Sequence, residues 1–300
     1  MKTPHLVQYQ GSKRILAPKI LQFMPERFDR LVEPFAGIAS VSIAVALGNR
    51  TDNFMLNDIN APLIVLLKDV IENPEHISSE YKMLWEEQFS YGDEHVKHFY
   101  EVRKDFNEGR QTSACMLYLL ARCVKGSVRY GRNGNFNQSP DKRRHGTSPD
   151  KIKSNSFEIS RLMKGKVKFS SNDYKSVLKT ITNGDLVYMD PPYQGVSEMR
   201  DRRYYSGINF DEFVGTIEEL DERGIDYIIS YDGFCGDKKY GKDLPSRLRC
   251  KKVFLNAGLS SQNTLLGKKS VTFEALYVSD SLISRIQTPI KQCFSGELVI

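Results

Sequence analysis

The chain has 300 residues, 40% of them hydrophobic and 27% charged, with a formal net charge of +6; it can bury a large core, and disordered, collagen-like and low-complexity classes are excluded. Apolar runs such as Leu63 to Leu67 are too short for a membrane span, and Met1 to Arg14 lacks the apolar segment of a secretory signal. Five cysteines (Cys115, Cys123, Cys235, Cys250 and Cys293) form no C-x-x-C pair, which predicts reduced thiols, a cytoplasmic protein and no cysteine-rich metal site.

The first third alternates strands and helices. Ile15, Ile20, Leu21 and Met24 recur at helical spacing, so Pro18 to Met24 reads as part of an amphipathic helix. Leu31-Val32-Glu33 is a short strand cut off by Pro34 and followed by Gly37. Ala39 to Leu47 is a small-residue helix ended by Gly48, Phe54 to Asn57 a second strand, and Ala61 to Ile71 a helix. This order predicts a parallel α/β sheet. Glu75 to Val124 is helix-rich, with Met116 to Val124 its most apolar helix. Gly126 to Pro149 has no helical period and reads as a long loop or hairpin. Alternation then returns. Val167 to Ser170, Leu186 to Met189 and Tyr227 to Ser230 are predicted strands, and Phe210 to Arg223 is a helix with Asn209 as N-cap. Val253 to Leu255 and Phe273 to Val278 close the sheet as antiparallel strands. The tail 286–300 has no clear pattern.

The charge is not evenly spread. Lys125 to Lys168 holds twelve Lys/Arg against three acids, an excess of nine, which leaves the rest of the chain at −3. Such a footprint points to a polyanionic partner; the bland alternative is a solvated basic face. The expected organisation is a catalytic domain of residues 1–75 and 166–285, interrupted by a helical, basic insertion at 76–165.

Four segments at strand ends carry candidate chemistry, because ligands of open α/β sheets bind there. At Glu33-Pro34-Phe35-Ala36-Gly37 the glycine lets backbone approach a ligand. No G-x-G-x-x-G or GK[ST] is present, so dinucleotide and ATP phosphates are not indicated. Asp58, some twenty residues on, is placed to accept hydrogen bonds from ribose hydroxyls; an ordinary N-cap is the alternative. Asp173 in Ser171-Asn172-Asp173-Tyr174 could hold the exocyclic amine of an adenine, or cap a helix. Asp190-Pro191-Pro192-Tyr193 is the most specific, since a chance D-P-P-Y is expected in roughly one chain per thousand of this length. An exocyclic amine on a base ring is a poor nucleophile, its lone pair being delocalised. A carboxylate and a turn carbonyl that accept its N–H groups favour the pyramidal, reactive nitrogen. Two prolines stiffen that turn, and Tyr193 offers a face for an extruded base.

These segments, in this order and with a basic insertion before the last, resemble the Dam-type DNA adenine-N6 methyltransferases, specifically their alpha group. The resemblance spans residues 6 to 280. Gln8-Tyr9-Gln10-Gly11-Ser12-Lys13 matches that family's aromatic-x-G-x-K segment. The resemblance implies a Rossmann-like methyltransferase sheet, mostly parallel with an antiparallel closing strand. It implies S-adenosylmethionine as cofactor and no metal. Tyr9, Lys13, Phe35, Ala36, Gly37, Asp58, Ile59, Asp173 and Asp190 would bind that cofactor, with Lys13 near its carboxylate. Asp190, Pro191, Pro192 and Tyr193 would act on a flipped adenine.

Arg129 to Asn137 resembles the family's recognition hairpin, matching at Arg129, Tyr130, Gly134, Phe136 and Asn137. Arg129, Tyr130, Arg132, Asn133, Asn135 and Asn137 would then meet double-stranded DNA, and Lys142, Arg143 and Arg144 would grip phosphate. Gly131, Arg132 and Asn133 depart from the Dam pattern, so a GATC target does not follow. Tyr130 either fills the space left by a flipped base or packs within the hairpin. The loop from Gln194 to Ser206, with Arg200, Arg202, Arg203, Tyr204 and Tyr205, is expected to close over the target base, or to be a plain basic loop. Methylation of an RNA base or a protein amide is the enzyme alternative; Asp at position 190 and the hairpin favour DNA. A binding protein on a retired fold would show a broken motif, and here it is whole. Any paired restriction endonuclease would be a separate protein.

Overall fold

The computed structural model describes residues 3–192, 208–235, 238–240, 242–259 and 271–286. Its sheet runs in the order β3-β2-β1-β4-β5-β8-β7. The strands are β1 (Arg30–Glu33), β2 (Phe54–Asn57), β3 (Val167–Ser170), β4 (Asp185–Met189), β5 (Asp226–Cys235), β6 (Lys238–Tyr240), β7 (Cys250–Leu259) and β8 (Val271–Ser279). The first five pair in parallel, with Leu31 opposite Phe54 on one side and Leu186 on the other. β8 runs antiparallel between β5 and β7, and short β6 pairs with β5.

Strands covered on both faces need apolar side chains in both directions, so they read as continuous hydrophobic runs. β2 and β4 are buried at every position. Their period of two sorts the side chains between two cores. Leu31, Leu56, Leu186 and Tyr188 join one cluster. Val32, Met55, Val187 and Met189 join the other. The first cluster is covered by α2 (Ser40–Leu47) and α3 (Ala61–Glu72), the second by α8 (Tyr174–Leu178) and α9 (Phe210–Glu222).

The inserted segment is helical, with α4 (Pro74–Glu87), α5 (His95–Asn107), α6 (Ser113–Arg122) and α7 (Pro149–Met163), a short α1 (Ala17–Ile20) having preceded them near the N-terminus. Its apolar residues, among them Tyr81, Phe99, Phe106 and Ile159, are continuous with the first cluster.

The local expectations need four adjustments. α6 starts at Ser113, where the Thr112 hydroxyl caps it, and ends at Arg122 instead of Val124. α7 was not legible, because buried Ser156 and Ser160 dilute its apolar stripe. Pro18 to Met24 is split between α1 and a 3-10 turn, Leu21–Phe23. β5, β7 and β8 are nine or ten residues long, extending past their apolar cores into polar sequence. Among the described residues no helix is long and apolar enough to cross a membrane.

Candidate active site

The sheet order makes neighbours of the four strands that carry the motifs. All four are parallel, so their C-terminal ends share one edge. Between β1 and β4 the chain reverses its direction of travel across the sheet, which opens the crevice where α/β folds bind ligands.

After β1, Gly37 takes a left-handed φ of 51° and donates its N–H to Asp58 Oδ2 at 2.9 Å. A side chain there would start 3.5 Å from the Tyr9 ring. After β2, Asp58 Oδ1 accepts the Asn60 N–H at 2.9 Å. Burial pushes the Asp58 carboxyl up, and these two backbone donors oppose it. Each oxygen keeps a lone pair for a further donor. Asn57, fully buried, ties three strand ends together. Its amide donates to the carbonyls of Pro34 and Asn172, and its Oδ1 accepts from Ser170 Oγ and Asn172 N. After β3, Asp173 caps α8 through Lys175 N at 2.9 Å and also faces the crevice.

After β4, Asp190 Oδ1 lies 2.8 Å from the Lys13 ammonium. The same ammonium is 3.2 Å from Glu274 Oε1 on β8. Burial lowers the Lys13 pKa, but the two carboxylates outweigh it and the group is held cationic. Burial pushes Asp190 up to about 6, with Lys13 pulling it down and Glu274 pushing it further up. Glu33 is buried beneath the site and accepts both the N–H and the hydroxyl of Ser42. Burial drives its pKa to about 8, so it is mostly neutral at pH 7.

The strand ends open onto one cavity of about 270 Å³. Tyr9, Lys13, Phe35, Ala36, Gly37, Asp58, Ile59, Asp173 and Asp190 all face it, as do Pro191 and Pro192. Tyr193 and the loop from Gln194 to Ser206 lie outside the described residues. The lining suits a nucleoside: Asp58 offers carboxylate acceptors, and Ile59 beside it presents an apolar face that is 52% exposed.

The hairpin contributes too, which local sequence did not indicate. Ser127, Val128 and Tyr130 line the same cavity. Tyr130 packs edge-on against buried Phe136, and its hydroxyl donates to Asn60 Oδ1 at 3.0 Å. Tyr130 is thus packed within the hairpin and also faces the cavity. Phe136 is held by both atoms of the Asn107 amide. Arg129, Arg132, Asn133, Asn135 and Asn137 are exposed. Lys142, Arg143 and Arg144 are exposed on the following loop, with Arg144 paired to Asp141 at 2.6 Å.

The N-terminal segment is seated on the base of the hairpin. Gln10 N donates to Gly126 O at 2.9 Å, and a side chain on Gly126 would start 1.9 Å from Gln8 O. Gly126 also has a φ of 60°. Gly126→Ala therefore combines backbone strain with a clash against the Gln8 backbone that no rotamer change can relieve. It is expected to cost roughly 1–3 kcal/mol or more. Urea unfolding and limited proteolysis at the hairpin check this; an unchanged midpoint and cleavage rate would mean that the contact is not made.

A doubly wound sheet with nucleoside-sized space at its switch point, and a buried carboxylate on a double-proline turn beside a basic hairpin, is the architecture of a nucleoside-binding α/β protein. Comparison with known proteins agrees. Residues 9–258 match the D12 class N6 adenine-specific DNA methyltransferase family. The chain is 26% identical over 236 residues to Type II methyltransferase M1.LlaDCHI of Lactococcus lactis subsp. cremoris, covering 74% of this chain and 79% of that one. It is 29% identical over 199 residues to the DNA adenine methylase of Serratia marcescens, covering 65% and 69% respectively. The Retron Ec67 DNA adenine methylase of Escherichia coli is 27% identical over 215 residues, covering 69% and 67%. The chain belongs to the D12 class N6 adenine-specific DNA methyltransferases.

Proposed function

We propose that the cavity binds S-adenosylmethionine and that Asp190 receives an adenine flipped out of duplex DNA. The convergence of Asp58 and Asp190 on one cavity carries this reading. The cofactor supplies a methyl group already activated on a sulfonium. Asp58 would hold the ribose, Ile59 and Asp173 would flank the adenine moiety, and the turn Phe35 to Gly37 would accommodate the methionine part. Asp190 and a carbonyl of the Pro191-Pro192 turn accept the target N6–H bonds. Asp190 would hold the target nitrogen in line with that methyl group and would take the proton released on transfer, passing it to water. Catalysis is then alignment plus charge placement.

Residues 1–75 and 166–285 serve as the catalytic part, and 76–165 as the part that selects DNA. The exposed hairpin side chains reach base edges, while Lys142 and Arg143 hold phosphates. The biological setting is restriction-modification, with a separate endonuclease, or a phage or housekeeping methylation system. Incubation with methyl-labelled S-adenosylmethionine and mixed-sequence duplex DNA should place label in N6-methyladenine. Label in cytosine, in RNA or in protein alone would overturn the reading, as would no transfer by protein that binds the cofactor.

A further inference from the structure

Glu274 lies 84 residues beyond Asp190 and outside the segment that matches the family. It sits on β8 opposite Gly233, where the β5–β8 register shifts. A bulge of this kind adds local twist and re-aims side chains beside a site. Here the Glu274 carboxylate reaches the Lys13 ammonium at 3.2 Å, while Lys13 reaches Asp190 Oδ1 at 2.8 Å and the Gly11 carbonyl at 3.3 Å. All three side chains are at least four-fifths buried.

We infer that Glu274 is a positioning residue for methyl transfer: it anchors Lys13, and Lys13 in turn holds one oxygen of Asp190 so that the other faces the target amine. An ammonium has three donors and a flexible stem. Bound only to Asp190 it would swing with that side chain. Glu274 and Gly11 O supply two further fixed acceptors, so the cation becomes a peg for Asp190. The ammonium engages Asp190 through Oδ1, and Oδ2 is assigned to the target amine. Among the described residues, the charged or titratable groups facing Asp190 are Lys13 before α1, Glu274 on β8, Glu33 on β1 and Tyr188 on β4. Glu33 is mostly protonated at neutral pH and Tyr188 is neutral, and the Asp190 and Glu274 carboxylates both contact the Lys13 ammonium.

This inference rests on the proposed role of Asp190, and its test separates the two. Glu274→Gln keeps the shape and removes the charge. It should lower kcat about tenfold, the order expected for loss of a group that aligns reacting partners, with KM values for cofactor and DNA little changed. The acid limb of the kcat–pH profile should move to lower pH, because one anion near Asp190 is gone. Lys13→Met should move the same limb to higher pH. Adding Glu274→Gln to Lys13→Met should cost little more, since no cation remains to anchor. Glu274→Asp keeps the charge one methylene back; it should lower kcat without moving the limb, and it serves if the Gln variant does not fold. Wild-type kcat in Glu274→Gln with an unmoved limb, or losses that multiply independently with Lys13→Met, would overturn the inference. Wild-type protein that methylates no adenine would instead overturn the proposed function.

Discussion

Asp190→Ala loses methyl transfer by roughly 10²–10³-fold or more, the scale on which removal of one preorganised charge-stabilising group acts. Binding of cofactor and DNA should change little, because most of that affinity comes from other parts of the site and from phosphate contacts. Asp190→Asn keeps an acceptor oxygen and removes the charge, so it should fall between Ala and wild type. Single-turnover rates and separate binding titrations check this split. Equal activity in the Ala variant would place the chemistry elsewhere. The same carboxylate sets an acid limit. It must be ionised to accept the amine N–H, and burial beside Lys13 and Glu274 puts its pKa at about 6. Activity should therefore be nearly independent of pH above 7. It should fall about tenfold per pH unit well below 6, as the carboxylate protonates.

Salt separates the two halves of the site. Arg129, Arg132, Lys142 and Arg143 are exposed on the hairpin and its following loop, and Arg144 is drawn back onto Asp141. If about four phosphates are neutralised, log K against log salt should have a slope near −3.6, so raising salt from about 50 to 200 mM weakens DNA binding on the order of a hundredfold. Lys142→Ala with Arg143→Ala should flatten the slope by about 2 and weaken binding to all sequences alike. Cofactor binding, held by short contacts inside the sheet's cavity, should respond far less. A shallow wild-type slope, or no change in the double variant, would show that this face does not meet DNA. Arg132 and Asn133 at the hairpin tip are different: substitutions there should alter sequence preference more than the slope.

Much of this site was legible before any coordinates. Buried parallel strands are short apolar runs, and β1, β2 and β4 are each marked by such a run ending at Pro, Asp or Asp-Pro, while the half-exposed edge strand β3 alternates Val167 and Phe169 with polar residues. Turn and catalytic chemistry is also local: Gly37 must adopt a positive φ, and the double proline must stiffen its own turn. The basic excess is a count along the chain; half of its Lys/Arg lie on the hairpin and its following loop and the other half on α7 and the segment into β3.

The missed features share a physical cause. Glu274 stands in an antiparallel strand, where an acid next to apolar neighbours reads as an ordinary solvent-side residue. Nothing near it in sequence records the register shift that turns it toward Lys13. Asn57 looks like a strand end, yet its amide joins segments 115 residues apart. α7 hides behind two buried serines, one of which donates to the Ile71 carbonyl of α3.

Sequence alone therefore specified the strands apart from β6, the motifs at the ends of β1 to β4, the class of chemistry and the stretch of chain that carries the charge, because propensity, turn geometry and composition are local properties. Tertiary structure alone decided that four motif strands are neighbours with parallel ends. It also decided that Lys13 is shared by Asp190 and Glu274, and that the hairpin base closes the same cavity. Those outcomes depend on hydrogen-bonded and ionic partners far apart in the chain. The local pattern of either partner carries no mark of the other.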